Sequence, residues 1–129
     1  MDRGADKLKE LKNDITRADL GNIDFMVEST YGGKNPLFNI LNAYANYDRE
    51  IGYSQGMNIV GSWILKFMRT EIDGKLVYDE MNAFYVMVHI MKELDYRNIY
   101  DKHLTKTRAH LEIISEILES GHPEFYEHL

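Results

Sequence analysis

An all-α fold, packed as an irregular multi-helix array, is what this sequence predicts. Apolar residues recur at three- and four-residue spacings in five separate stretches, while strand-like alternation never survives beyond four or five residues. Only 2 prolines interrupt 129 residues, so long segments run unbroken.

Asp6 to Ile15 reads as a short first helix, with Leu8, Leu11 and Ile15 on one face and Lys and Glu between them. The pattern lapses from Thr16 to Leu20, and Gly21-Asn22 is a turn signal. From there to Lys34 the chain reads as irregular, with Tyr31-Gly32-Gly33 as a flexible corner. Asn35-Pro36 opens a second helix, since Asn is a favoured N-cap and Pro suits the first helical position. Leu37, Ile40, Leu41, Tyr44 and Ala45 share one face, and the helix should end near Asp48.

A third helix is expected from Ser54-Gln55 to Arg69. Met57, Val60, Gly61, Ile64, Leu65 and Met68 form its apolar stripe, and Ile59, Trp63 and Phe67 widen it, which predicts a central helix. Gly61 would admit a neighbouring helix closely, at a propensity cost of about 1 kcal/mol. Asp73-Gly74 is a turn. A fourth helix is expected over Asp79 to Leu94, apolar on most sides, and a fifth from Leu104 to Ser120, with Gly121 and Pro123 as its stop signals. The segment from Thr16 to Lys34 is too long for a simple bundle connection.

Lys and Arg total 15 and Asp and Glu 21, a net charge of −6 that argues against nucleic acid and against an anionic membrane surface. Cysteine is absent, which excludes disulfides, Cys-ligated zinc and a Cys nucleophile. No stretch has the length and apolarity of a membrane span, and the charged first residues do not read as a signal peptide, so the cytosol is the expected compartment. Five His are present without a His-x-x-x-His pair, so no metal site is expected. His89 reads as a hydrogen-bonded core residue, and Glu124 with His128 as a surface contact. No Gly-rich loop precedes a Lys-Ser or Lys-Thr, and Ser54 lacks a nucleophile-elbow context.

Three stretches, in order, resemble the TBC family of Rab GTPase-activating domains. The first is Leu11-Lys-Asn-Asp14-Ile-Thr-Arg17-Ala18. The second is Ile51-Gly52-Tyr53-Ser54-Gln55-Gly56-Met57-Asn58, similar to the family's Tyr-Cys-Gln-Gly-Met-Asn signature. The third is Pro123-Glu-Phe-Tyr-Glu-His128-Leu129, which looks like the segment opening the family's second half. The Asp-x-x-Arg element is weak alone, whereas a chance match to the second stretch is improbable. Ala18 stands where the family usually has Thr, Ser54 where it has Cys, and the upstream Arg and Trp element is missing.

The resemblance implies that residues 1–129 form the N-terminal subdomain of a Rab-activating domain whose C-terminal subdomain is absent, and that the chain is not itself an enzyme but completes the active site of a partner. Arg17 would be an arginine finger and Gln55 a glutamine finger, both supplied in trans to a GTP-bound Rab-family small GTPase. Tyr53 and Asn58 would shape the loop bearing Gln55. Asp14 would either steady Arg17 or cap its own helix locally. GTP and Mg2+ would belong to the partner, leaving this chain with no cofactor. The implied location is cytoplasmic, peripheral to membranes through the partner, with self-association through the surface that the absent half leaves open. A non-catalytic Rab-binding scaffold of the same fold, or a helical adaptor with no GTPase partner, are the competing readings.

Overall fold

Asn35 caps the second helix as its chemistry requires. Its side-chain oxygen accepts the N–H of Phe38 at 2.8 Å, while Pro36 occupies a position where no N–H is needed. The computed structural model describes residues 3–17 and 35–128, with side chains described for 6–15 and 35–128. The segment read as irregular, with Ala18, the Gly21-Asn22 turn and the Tyr31-Gly32-Gly33 corner, lies outside the described residues, as does the side chain of Arg17.

The described elements are α1 (Arg3–Arg17), α2 (Pro36–Tyr47), α3 (Met57–Phe67), β1 (Arg69–Ile72), β2 (Lys75–Tyr78), α4 (Glu80–Lys92), a 3-10 turn (Tyr96–Ile99), α5 (Thr105–Gly121) and α6 (Pro123–Tyr126). The fold is mostly α, as the periodicity predicts. α2 and α3 share the centre: α2 packs against α1, α3 and α4 and buries Leu37, Ile40, Leu41 and Tyr44, and α3 packs against α1, α2 and α4. α3 turns Met57, Gly61, Ile64 and Leu65 inward, and Ile59, Trp63 and Phe67 lie exposed on its outer face instead of widening the buried stripe as expected. Gly61 is where α2 comes nearest. A Cβ there would meet Leu37 Cδ1 at 3.0 Å and Leu41 Cδ2 at 3.2 Å.

Two differences from the expected elements have local causes. α3 starts at Met57 instead of Ser54 because Gly56 takes φ +99°, which interrupts helical geometry just before it. It stops at Phe67 because Arg69–Tyr78 forms an antiparallel hairpin. Asp73 (φ +51°) and Gly74 (φ +74°) make its two-residue turn, both with positive φ, the geometry that suits the strand twist. The hairpin closes on α3 and α4 through the Asp79 N–H, which donates to Met68 O at 2.8 Å, and Asp79 then caps α4 by accepting the Asn82 N–H at 3.1 Å.

α4 buries Ala83, Met87 and Met91, one residue per turn. His89 falls on the opposite side and is exposed, so it is not the core histidine that the apolar run suggested. The C-terminal region is the open part of the fold. α5 packs against the 3-10 turn and α6, and Leu111, Ile113, Ile114 and Ile117 are each more than half exposed. Pro123 opens the short α6, and the Glu124–His128 contact runs from the His128 ring to the Glu124 carbonyl oxygen at 2.8 Å. No helix among the described residues is long and apolar enough to cross a membrane.

Candidate functional site

The connection from α2 to α3 carries the second motif, and three anchors hold it. The first is Asp48, the residue after α2. Its carboxylate is buried, accepts the Tyr44 hydroxyl at 2.9 Å, and takes two hydrogen bonds from the Arg97 guanidinium at 2.9 and 3.0 Å. Arg97 also reaches Glu50 at 2.8 Å. The guanidinium, helped by the Tyr44 hydroxyl against the cost of burial, holds the Asp48 carboxyl down from 3.8 to about 2. The loop therefore leaves α2 around a fixed charge pair.

The second anchor is Lys7 on α1, whose ammonium donates to the Ile51 carbonyl at 3.0 Å. Beside it, Gly52 has φ +66°, and a Cβ there would lie 2.8 Å from Lys7 Nζ. The positive φ favours glycine at this position, and a side chain there would also displace the Lys7 ammonium from its place.

The third anchor joins the first and second motifs directly. The buried Tyr53 hydroxyl donates to Asp14 Oδ2 at 2.8 Å. Burial, and then the neighbouring carboxylate, push the Tyr53 phenol well above its ordinary range, so it stays a donor. Asn58 acts on the same residue from the other side of Gln55. Its amide donates to the Asp14 carbonyl oxygen at 3.1 Å, and its own oxygen accepts the Gly56 N–H at 3.1 Å. Asp14 lies in the last turn of α1, where carbonyls lose their helical partners, so Asn58 supplies a donor to that helix end while fixing the turn that carries Gln55.

Gln55 sits at the apex of this turn and is exposed. The backbone around it is closed by the Met57 N–H donating to Ser54 O at 3.1 Å. Arg17 is the last residue of α1, about 4.5 Å along the axis from Asp14 at the standard helical rise. The structure therefore brings Asp14, Tyr53, Asn58 and the Gln55 turn together around the C-terminal end of α1, and the backbone of Arg17 emerges from that end. Asp14 is engaged with the loop through both its carboxylate and its carbonyl.

The anchors that sequence reasoning misses are Lys7, Asp48 and Arg97. Lys7 meets Ile51 across 44 residues and Arg97 meets Asp48 across 49, and no spacing rule links such positions. Asp48 alone left a signal, as the polar residue closing the α2 pattern.

The arrangement thus sets an exposed carboxamide on a turn beside the helix end at which the chain reaches Arg17. The sequence model of the Rab-GTPase-TBC domain matches residues 2–129. Among curated proteins, the chain is 28% identical to a TBC domain-containing protein of Schizosaccharomyces pombe, over 96% of this chain and 16% of that protein. It is 31% identical to GTPase-activating protein GYP5 of Eremothecium gossypii, over 94% of this chain and 12% of that protein. It is 27% identical to Rab GTPase-activating protein eat-17 of Caenorhabditis elegans, over 93% and 12%. The chain thus spans a small part of the length of each of these relatives. No solved structure matches it.

Proposed function

The chain belongs to the Rab-GTPase-TBC domain family, and from that premise we propose that it accelerates GTP hydrolysis by a Rab-family small GTPase in its GTP-bound form. The 129 residues supply the N-terminal, finger-bearing part of the activating module. Hydrolysis requires a water oxygen to attack the γ-phosphorus in line with the bond to the bridging oxygen. That bond then breaks, and charge accumulates on the phosphoryl and leaving oxygens. Nucleotide and Mg2+ sit in the partner, so two things remain for this chain to provide.

Arg17 provides a permanent cation with forked donors for the charged oxygens. An arginine supplied in this way is worth about 10³ to 10⁵ in rate, or roughly 4–7 kcal/mol of barrier. Gln55 holds the attacking water: its carbonyl accepts one water proton while its amide donates to the phosphoryl group. Asp14, Tyr53 and Asn58 are positioning residues that keep the helix end and the Gln55 turn at fixed separation, as preorganised catalysis needs. The chain neither binds nor hydrolyses GTP alone, and it reaches membranes through its partner.

The observation that carries this reading is the pair of contacts from Tyr53 and Asn58 to Asp14, one on each side of Gln55. The test is GTP hydrolysis by a panel of Rab-family GTPases with the wild-type chain, Arg17→Ala and Gln55→Ala. A loss of about a hundredfold or more in either variant is expected. Binding of GTP-loaded GTPase with no added hydrolysis by the wild-type chain would instead establish the scaffold reading.

A further inference from the structure

A cleft of about 900 Å³ opens between α1, the end of α2, the 48–54 loop and the segment after the 3-10 turn. Its size is at the upper end for a binding cleft. One wall contains Tyr53 and Ser54, so it runs directly into the Gln55 turn. The reading of that turn as a GTPase-facing site gives the cleft its meaning.

The lining is chemically unlike the rest of the chain. The whole sequence carries a net charge of −6, yet among the described residues four cations (Lys7, Arg49, Arg97 and Lys102) face this cleft against two carboxylates, Glu50 and Asp101. Both carboxylates are already occupied: Glu50 holds Arg97, and Asp101 Oδ1 accepts the Thr105 N–H that opens α5. Arg97 is committed to Asp48 and Glu50, and Lys7 to the Ile51 carbonyl. Arg49 and Lys102 are exposed and have no ion-pair partner among the described residues. The cleft also has apolar lining from Leu8 and Ala45, and three side-chain amides, Asn42, Asn46 and Asn98; the Asn46 and Asn98 amide nitrogens donate to Asn42 and Asp95, and their oxygens remain as acceptors.

Cations alone would suit a free phosphate. Cations together with amides and an apolar lining suit an extended peptide, because amides pair with a peptide backbone, apolar groups take alternate side chains, and the basic residues take its carboxylates. We propose that this cleft is the docking groove for an extended, carboxylate-bearing segment of the partner GTPase, seated by Arg49 and Lys102 alongside the Gln55 turn. This rests on the activator reading above and adds to it where the partner is selected. Charge placed there governs encounter and specificity, while the finger residues govern the chemical step.

The experiment measures binding and not turnover. Rab-family GTPases loaded with a non-hydrolysable GTP analogue are titrated calorimetrically with the wild-type chain and with Arg49→Glu/Lys102→Glu. A control of equal net charge, Lys75→Glu/Arg108→Glu, alters exposed sites away from the cleft. The groove predicts an affinity about tenfold or more weaker for the cleft reversal, narrowing as salt is raised, with the control within about twofold of wild type. If the reversal variant melts at a lower temperature, Arg49→Ala/Lys102→Ala replaces it, with the same direction expected. A poly-glutamate peptide is expected to compete with the GTPase; competition by phosphatidylserine vesicles without competition by the peptide would overturn the assigned occupant. Equal binding by wild type and cleft variants would overturn the groove and leave the activator reading standing. Failure of the wild-type chain to bind any loaded GTPase would overturn both.

Discussion

Replacing Tyr53 with Phe removes one hydroxyl from the interior and leaves the ring to fill the same space. That hydroxyl is the direct side-chain link between the Gln55 turn and the last turn of α1, donating to Asp14 Oδ2 at 2.8 Å between two residues that are both buried. A hydrogen bond to a charged group contributes about 1.5–3 kcal/mol, and the carboxylate oxygen left behind has little water to replace it. For a domain of this size the expected fall in melting temperature is roughly 5–15 °C. Urea unfolding followed by circular dichroism gives the free energy. A double-mutant cycle with Asp14→Ala then isolates the pair, and a coupling energy of about 1–3 kcal/mol is expected. The activating rate should also fall, because a loosened turn no longer holds the Gln55 amide in place. A destabilisation below about 0.5 kcal/mol, or full additivity in the cycle, would refute the role given to this contact.

Stability should fall as pH drops from about 4 to about 2. The Asp48 carboxyl is held below its unfolded value of 3.8, so its contribution is present above that pH and is lost as pH falls through about 2. The amount is about 2 kcal/mol, and acid titration of the unfolding free energy should show Asp48→Asn lacking that share of the slope. Gly52→Ala places a Cβ at φ +66° against Lys7 Nζ and should cost about 1–2 kcal/mol in urea unfolding, more than an ordinary surface change. The apolar face of α5 should drive concentration-dependent self-association, read by sedimentation velocity; Ile114→Lys with Ile117→Lys should return the chain to a monomer.

How far the sequence discloses this fold depends on the range of the interaction concerned. α2 was legible almost to the residue, because Asn35 and Pro36 act within one turn of themselves and Asp48 closes the pattern. The hairpin was half legible: Asp73-Gly74 reads as a turn, but four-residue strands are too short to show alternation, so β1 and β2 were absorbed into expected helix and loop. Ile59, Trp63 and Phe67 misled, since periodicity shows which residues are apolar and not which face finds a neighbour. At the site, the motif residues were legible through family resemblance, whereas the Gly56 break that leaves Gln55 on a turn ahead of α3 was not. The Tyr53–Asp14, Asn58–Asp14, Lys7–Ile51 and Arg97–Asp48 contacts join positions 39 to 49 residues apart. Only the folded chain reveals them.

The most direct measurement is the single-turnover rate of GTP hydrolysis by a saturating Rab-family GTPase, compared for the wild-type chain, Arg17→Ala, Gln55→Ala and the double variant. One joint site predicts a fall of about a hundredfold or more for each single variant with partner affinity little changed, and a double variant no worse than about tenfold below the weaker single, because residues acting as a unit are not additive. Wild-type turnover in both single variants would contradict the account.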